Sequence, residues 1–177
     1  MVAAAVVLDH RRTISGLRDS KLLTPISRER LYEEIIRTTS WTVASVEPAE
    51  IDRLNIHRAS LDAMRRAVKA IAPCPDFVLV DGFLLPGLLL PQRGIVGGDR
   101  RCAVIAAASI VAKVTRDRHM QQLHARDPRY GFDRHKGYAT RDHLAAVRRF
   151  GYSDVHRRSF RPASLFDRIA NSGSVPV

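Results

Sequence analysis

Two carboxylates and one tyrosine stand in settings where chemistry could be done. Asp81 follows Phe77-Val78-Leu79-Val80 directly and precedes Gly82. The apolar run has the pattern of a buried strand, whose C-terminal end is a favoured place for functional groups in α/β sheets. An Asp before a Gly equally suits a turn or a helix cap. Asp117 is framed by Lys113, Arg116 and Arg118; an ordinary helical ion pair with Lys113, four residues earlier, would also account for it. Tyr138 lies in a basic, glycine-containing loop beside His135 and Lys136. From the residues alone it would be a loop aromatic covering the core, with a phenol that could also bond a ligand. His135 and Lys136 suit phosphate contact or a solvated loop. His156, Arg157 and Arg158 suit backbone contact or the end of a helix.

The elements that must position these residues follow from the apolar pattern. Val2–Leu8, rich in Val and Ala, predicts a strand buried on both faces, and Trp41–Val46 a second. Between them Thr24 is placed to cap a helix that starts with Pro25, and Leu31, Tyr32, Ile35 and Ile36 form its apolar stripe to about Thr38. Pro48 opens a short helical turn. A longer helix is expected from Ile56 to Ile71, with Ile56, Ser60, Met64, Ala67, Val68 and Ile71 on its inner face. Phe77–Val80 delivers Asp81, and Gly94–Val96 predicts another short strand. The longest helix is expected over Ala103–Arg126, where Ala106, Ala107, Ala108 and Ser109 allow close packing and where Asp117 rides. Thr140 is placed to cap a last helix to about Phe150.

The 177 residues suit one domain, expected over 1–165, followed by a tail over 166–177 that frays from Asn171. With 45% hydrophobic and 27% charged residues the composition is that of a globular protein rather than a disordered one. The formal charge of +11 is uneven. Residues 1–99 carry 13 Lys and Arg against 12 Asp and Glu, a net +1, and residues 100–177 carry 16 against 6, a net +10. Such a basic region attracts a polyanion, of which nucleic acid is the commonest, although net charge speaks to association and not to chemistry. Cys74 and Cys102 are not in a paired spacing, so no disulfide framework or zinc cluster is expected, and both are read as buried thiols. The apolar stretches Met1–Leu8 and Phe83–Leu90 are too short to span a bilayer. A cytoplasmic monomer without membrane association is expected.

Several short segments together resemble ribonuclease HII in identity, order and spacing. They are Asp19-Ser20-Lys21, Asn55-Ile56, Val80-Asp81-Gly82, Gly98-Asp99, the run from Ala106 to Arg118, Tyr130-Gly131-Phe132, His135-Lys136-Gly137-Tyr138 and His156-Arg157-Arg158-Ser159-Phe160. The likeness extends from about Val2 to Phe160. It implies an α/β, ribonuclease-H-like fold: a mixed five-stranded sheet flanked by helices, with a mostly helical C-terminal portion. It also implies an endonuclease that hydrolyses the RNA strand of RNA–DNA hybrids, including single ribonucleotides within duplex DNA, leaving a 3′-hydroxyl and a 5′-phosphate. Four carboxylates in that family hold two divalent ions, Mg2+ or Mn2+, and Asp81 and Asp117 match the third and fourth. Two hard cations about 3.5–4 Å apart activate the attacking water and stabilise the leaving oxygen. By the same resemblance Lys21 lies near the substrate phosphate and Tyr138 senses the ribonucleotide.

The departure is at the start. The family's Asp-Glu-Ala-Gly-Arg-Gly motif, which precedes the segment resembling Val2–Leu8, does not occur in this sequence, and no Glu occurs before Glu29. The motif supplies the first two metal ligands and reads the ribose 2′-hydroxyl. The first strand is therefore expected to be truncated, with Met1 either internal to a longer protein or the start of a shortened paralogue. The chain as written is expected to cleave poorly while still binding duplexes. The alternative function is a catalytically inactive protein that binds RNA–DNA hybrids. If cleavage occurs nonetheless, Asp9 and Asp19 are the first candidates to supply ligands.

Overall fold

The computed structural model describes residues 1–9 and 11–160. Its opening element is strand β1, Val2–Val7, paired antiparallel with β2, Ser40–Ser45, in the register Val2 opposite Ser45 and Val7 opposite Ser40. The ladder continues to Met1, whose amine donates to the Val46 carbonyl and whose own carbonyl accepts the Val46 N–H, each at 2.8 Å. Alternation along β1 gives each face a separate core. Val6, with Ala4 and Leu8, meets Leu31, Tyr32 and Ile35 of helix α1 (Pro25–Thr38) and Ala107, Ile110, Val111 and Val114 of helix α5 (Ala103–Arg126). Ala5 faces the other way, toward Val68, Val78, Val80 and Leu85. An all-apolar strand is required because both faces are covered by helices.

Helix α1 begins as expected. Thr24 Oγ1 accepts the Ser27 N–H at 3.2 Å and Pro25 occupies the first turn. It stops where two threonines turn their hydroxyls back onto the Glu34 and Ile35 carbonyls, at 2.7 and 2.8 Å, and β2 follows at once. After the short α2 (Pro48–Leu54) comes α3, Ile56–Ala70, capped by Asn55, whose side chain accepts the Arg58 N–H at 3.0 Å. The inner face of α3 is Ala59, Ala63, Ala67 and Val68, whereas Ile56 is exposed and Ser60 and Met64 are only half-buried. Ala67, Val68 and Ile71 are buried as expected, and the stripe is displaced by about one residue only in the first half of the helix, where Ala59 and Ala63 stand in for Ser60 and Met64. Alanines let the helix axis approach β1 and β2 closely, and Thr42 Oγ1 donates to the Ala67 carbonyl at 2.7 Å across that approach.

Strand β3, Val78–Asp81, pairs parallel with β4, Gln92–Ile95. The connection over 82–91 is short for a parallel crossover. Gln92 holds it: its Oε1 accepts the Leu85 N–H at 2.7 Å, and its Nε2 donates to the Leu85 and Leu88 carbonyls at 3.1 and 3.3 Å. Helix α4, Gly98–Arg101, leads into α5. Antiparallel and parallel pairing are both present, but among the described residues they lie in separate ladders and not in one mixed sheet. Among the described residues the ladders form two pairs, β1–β2 and β3–β4, so four strands stand where five were expected. β1 meets β3 only through side chains, Ala5 packing in the cluster of Val78 and Val80 without a shared ladder.

The chain forms two compact units, the first of Met1–Val46 with Leu54–Arg116 and the second of Glu47–Arg53 with the residues from Asp117 onward. The second is helical: a 3-10 turn at Pro128–Tyr130, α6 at Phe132–His135 and α7 at Arg141–Phe150, around a core of Leu123, Tyr130, Phe132 and Val147. Thr140 caps α7 by accepting the His143 N–H at 3.3 Å. The expected tail over 166–177 lies outside the described residues. Neither cysteine is buried as expected: Cys74 is exposed in the Pro-flanked turn after α3, and Cys102 is half-buried. No helix among the described residues is long and apolar enough to cross a membrane.

Candidate functional site

In the first unit, Asp81 ends β3 with its carboxylate exposed. Its Oδ1 accepts the Gly98 N–H at 2.9 Å, at the start of α4, while Oδ2 takes no hydrogen bond from the described residues. A Cβ on Gly98 would come within 2.5 Å of Ile105 Cδ1, so a side chain there would force the Ile105 side chain to move, while Asp81 Oδ1 at 3.4 Å would be in ordinary contact. One oxygen is thus oriented by a main-chain amide.

Lys21, also in the first unit, is exposed on a loop whose two preceding residues are buried. Asp19 Oδ1 accepts the Lys21 N–H at 2.9 Å, and its other oxygen faces Arg100 at 3.6 Å. Ser20 Oγ meets Ser109 Oγ of α5 at 2.9 Å, and Arg28 of α1 donates to the Ser20 and Leu23 carbonyls at 2.7 and 2.8 Å. This loop is fastened from both helices. Asp19 is therefore committed to holding the loop, and Asp9 accepts hydrogen bonds from the Arg11 main chain and guanidinium, at 3.0 to 3.2 Å.

In the second unit, Asp117 is half-buried on α5. Tyr138 is 58% exposed in the loop between α6 and α7. Lys136, at the left-handed turn that ends α6, donates from Nζ to the Asp133 carbonyl at 2.6 Å. His135 departs from its expected exposure. It is buried, with Nε2 2.7 Å from the Tyr130 carbonyl, Nδ1 accepting the Gly137 N–H at 3.2 Å, and its ring stacked on His143 at 4.4 Å. A ring engaged on both nitrogens supports the loop from within. Arg157 lies over the Phe160 ring and Arg158 over the Tyr152 ring. Their segment is fastened to Asp52 of α2, whose carboxylate accepts the Arg158 and Ser159 N–H groups at 2.7 and 3.0 Å and the Ser159 hydroxyl. The hydroxyl and the two amides hold the Asp52 carboxyl below the usual carboxylate range.

Sequence reasoning missed the groups behind these residues: Arg28, Ser109, Asp52, His143 and Ser153. The one visible signal was three histidines, His135, His143 and His156, within one short aromatic-rich stretch around Tyr138. Among the described residues no group of three or more His, Cys, Asp or Glu is arranged to hold a metal ion. In kind, the outward oxygen of Asp81 and the carboxylate of Asp117 are the hard donors that Mg2+ or Mn2+ takes.

A sequence model of ribonuclease HII matches residues 1–163. The chain belongs to the ribonuclease HII family. It is 52% identical over 166 residues to the ribonuclease HII of Thiobacillus denitrificans, an alignment covering 93% of this chain and 81% of that protein. Among solved structures it is similar in fold to the ribonuclease H2 of Pyrococcus horikoshii OT3, with TM-score 0.73 and 21% identity over 96% of this chain and 99% of that one. It is similar also to a Bst-RNase HIII solved in complex with Mn2+, with TM-score 0.63 and 19% identity over 97% of this chain and 65% of that one. The fold is therefore ribonuclease-H-like, and this is a family of ribonuclease H enzymes.

Proposed function

We propose that this protein hydrolyses the RNA strand of RNA–DNA hybrids and cuts at single ribonucleotides embedded in duplex DNA, using divalent ions held by carboxylates that include Asp81 and Asp117. The observation that carries the reading is Asp81 itself, a carboxylate at the end of a parallel strand with one oxygen fixed by the Gly98 amide and the other open. Family membership supports the substrate class, and the Mn2+ complex of the similar ribonuclease HIII supports a divalent cofactor. Ions bound there would lower the pKa of an attacking water and stabilise the leaving oxygen. The chain's own groups do the rest: Lys21 meets a phosphate near Asp81, and Tyr138 contacts the ribose. Lys136, Arg157 and Arg158 follow the backbone, and His135 supports the Tyr138 loop rather than touching phosphate.

A second reading, binding of hybrids without cleavage, is favoured by the charge, since the net +10 of residues 100–177 serves phosphate contact whether or not ions are held. One experiment separates the two. Mn2+ is titrated into the folded chain and into Asp81→Asn, and both are assayed on a duplex containing one ribonucleotide. The same is done for the chain carrying Asp-Glu-Ala-Gly-Arg-Gly ahead of Met1. Asn keeps the shape and removes the charge, so ion affinity and cleavage fall together while duplex binding persists. Equal ion binding and cleavage with Asn at position 81 removes that residue from the metal site. Duplex binding without cleavage in every form favours the second reading.

A further inference from the structure

The rings around Tyr138 form a directed hydrogen-bond chain. The Tyr138 carbonyl can only accept, so His143 Nδ1, 2.9 Å away, carries a proton. His143 Nε2 is then the acceptor for the His156 Nε2–H at 3.1 Å. His156 Nδ1 in turn accepts the Ser153 N–H at 3.0 Å and the Ser153 hydroxyl at 2.7 Å. Donation therefore runs from Ser153 to His156 to His143 to the Tyr138 carbonyl, with one neutral tautomer fixed at each ring by a main-chain partner. The other end of the same peptide segment is also held: the Tyr138 N–H donates to the His135 carbonyl at 2.9 Å, and the Thr140 N–H to the Tyr138 carbonyl at 2.8 Å. His143 is buried and packs edge-on to Phe132 at 5.6 Å, so the chain is anchored in the core of the second unit while Tyr138 itself stands exposed.

We propose that His143, supported through His156 by Ser153, is the positioning residue for Tyr138, fixing the main chain there so that the phenol is presented to the ribose from a fixed point. This rests on the reading that Tyr138 contacts the ribose. A phenol on a loosely held loop would lose part of its discrimination to the freedom of the loop, whereas a main chain pinned at N–H and carbonyl leaves only side-chain rotation to be fixed on binding. In this network every ring nitrogen of His135, His143 and His156 has a hydrogen-bond partner in the protein.

The test has two readouts on the full chain. Amide hydrogen exchange reads the positioning, and the ratio of affinities for a duplex with one ribonucleotide and the all-DNA duplex reads its consequence. His143→Ala should speed exchange at Tyr138 and Thr140 by roughly three- to tenfold, the scale of one lost hydrogen bond, with Tyr130 and Val147 unchanged. It should lower the affinity ratio as Tyr138→Phe does. His143→Asn, whose amide nitrogen can occupy the Nδ1 position, should restore both. Should His143→Ala fail to fold, Ser153→Ala weakens the far end of the chain and should move both readouts less, in the same direction. Unchanged exchange at Tyr138 and Thr140, or equal effects from Ala and Asn, overturns the positioning role. A ratio lowered by Tyr138→Phe but not by His143→Ala overturns it while leaving the ribose reading intact. A ratio untouched by Tyr138→Phe overturns that reading, and the functional part of the proposal with it.

Discussion

Neutrality of the buried His143 and the half-buried His156 has a thermodynamic consequence at the scale of single residues. Burial pushes the His143 pKa below 6.5, and burial together with the neighbouring His143 pushes that of His156 down to about 4. Protonating His156 Nδ1 would set its new N–H against the donors of Ser153, and protonating His143 Nε2 would set it against the His156 N–H. The sign follows from proton counting. Below about pH 6.5 the unfolded chain binds a proton at each of these positions that the folded chain refuses, so stability is full above 6.5 and declines as the pH falls toward 4. For His156 the loss is at most about 1.4 kcal/mol per pH unit within that window, and less for the part of the ring that faces solvent. The carboxylate of Asp52, held down by Ser159, contributes stability that is lost in the same direction but at lower pH, only as the pH falls below the ordinary carboxylate value. Urea unfolding midpoints should therefore drop between pH 6.5 and 5, before carboxylates titrate, and NMR titration should find His156 neutral throughout that range. A flat midpoint with an ordinary His156 titration would show that the network does not hold the neutral tautomers.

Among the elements, α3 makes the sharpest prediction, because its close approach depends on residues with almost no side chain. Ala63 is fully buried between α3 and the β1–β2 pair. Ala63→Leu adds three carbons where the packing has no space, and should destabilise the chain by about 1–3 kcal/mol, whereas Met64→Leu, half-buried beside it, should be nearly neutral. Thermal unfolding of the two variants measures the difference; similar losses would mean that α3 does not lie flat on the sheet. The same helix shows what a sequence discloses. Its limits, expected at Ile56 and Ile71, were legible because the apolar period that marks them is a local signal. The second half of its inner face, Ala67, Val68 and Ile71, was legible too; the first half was not, because Met64 outranks Ala63 in hydrophobicity and only the distance to the sheet, a tertiary quantity, selects alanine. The caps of α1 and α7 at Thr24 and Thr140 were readable for the same local reason, as was Asp81 at the end of β3. Strand pairing and the Gly98 contact with Asp81 join residues distant in sequence, and the burial of His135 reverses what a basic motif suggests. Those depend on partners that no local pattern names.

For the whole molecule, the net charge of +11 raises the question of whether duplex binding uses particular cations or a diffuse field. The two mechanisms differ in how they respond to moving the same charge. Each phosphate neutralised by a specific contact releases counterions and adds about 0.9 to the slope of log affinity against log salt. Lys136, Arg157 and Arg158 all belong to the second unit, and the latter two sit on a segment fixed by Asp52. Replacing these three with Gln takes the formal charge from +11 to +8, and so does replacing the exposed Arg12, Arg30 and Arg37 of the first unit. If the named residues contact phosphates, the first variant should lose up to about 2.7 from the salt slope and bind all duplexes more weakly, with the preference for a ribonucleotide unchanged because phosphates carry no information about the sugar. The second variant should keep nearly the parent slope. Fluorescence anisotropy across a series of salt concentrations distinguishes them, and equal losses of slope from the two variants would assign binding to the overall field and remove Lys136, Arg157 and Arg158 from direct contact.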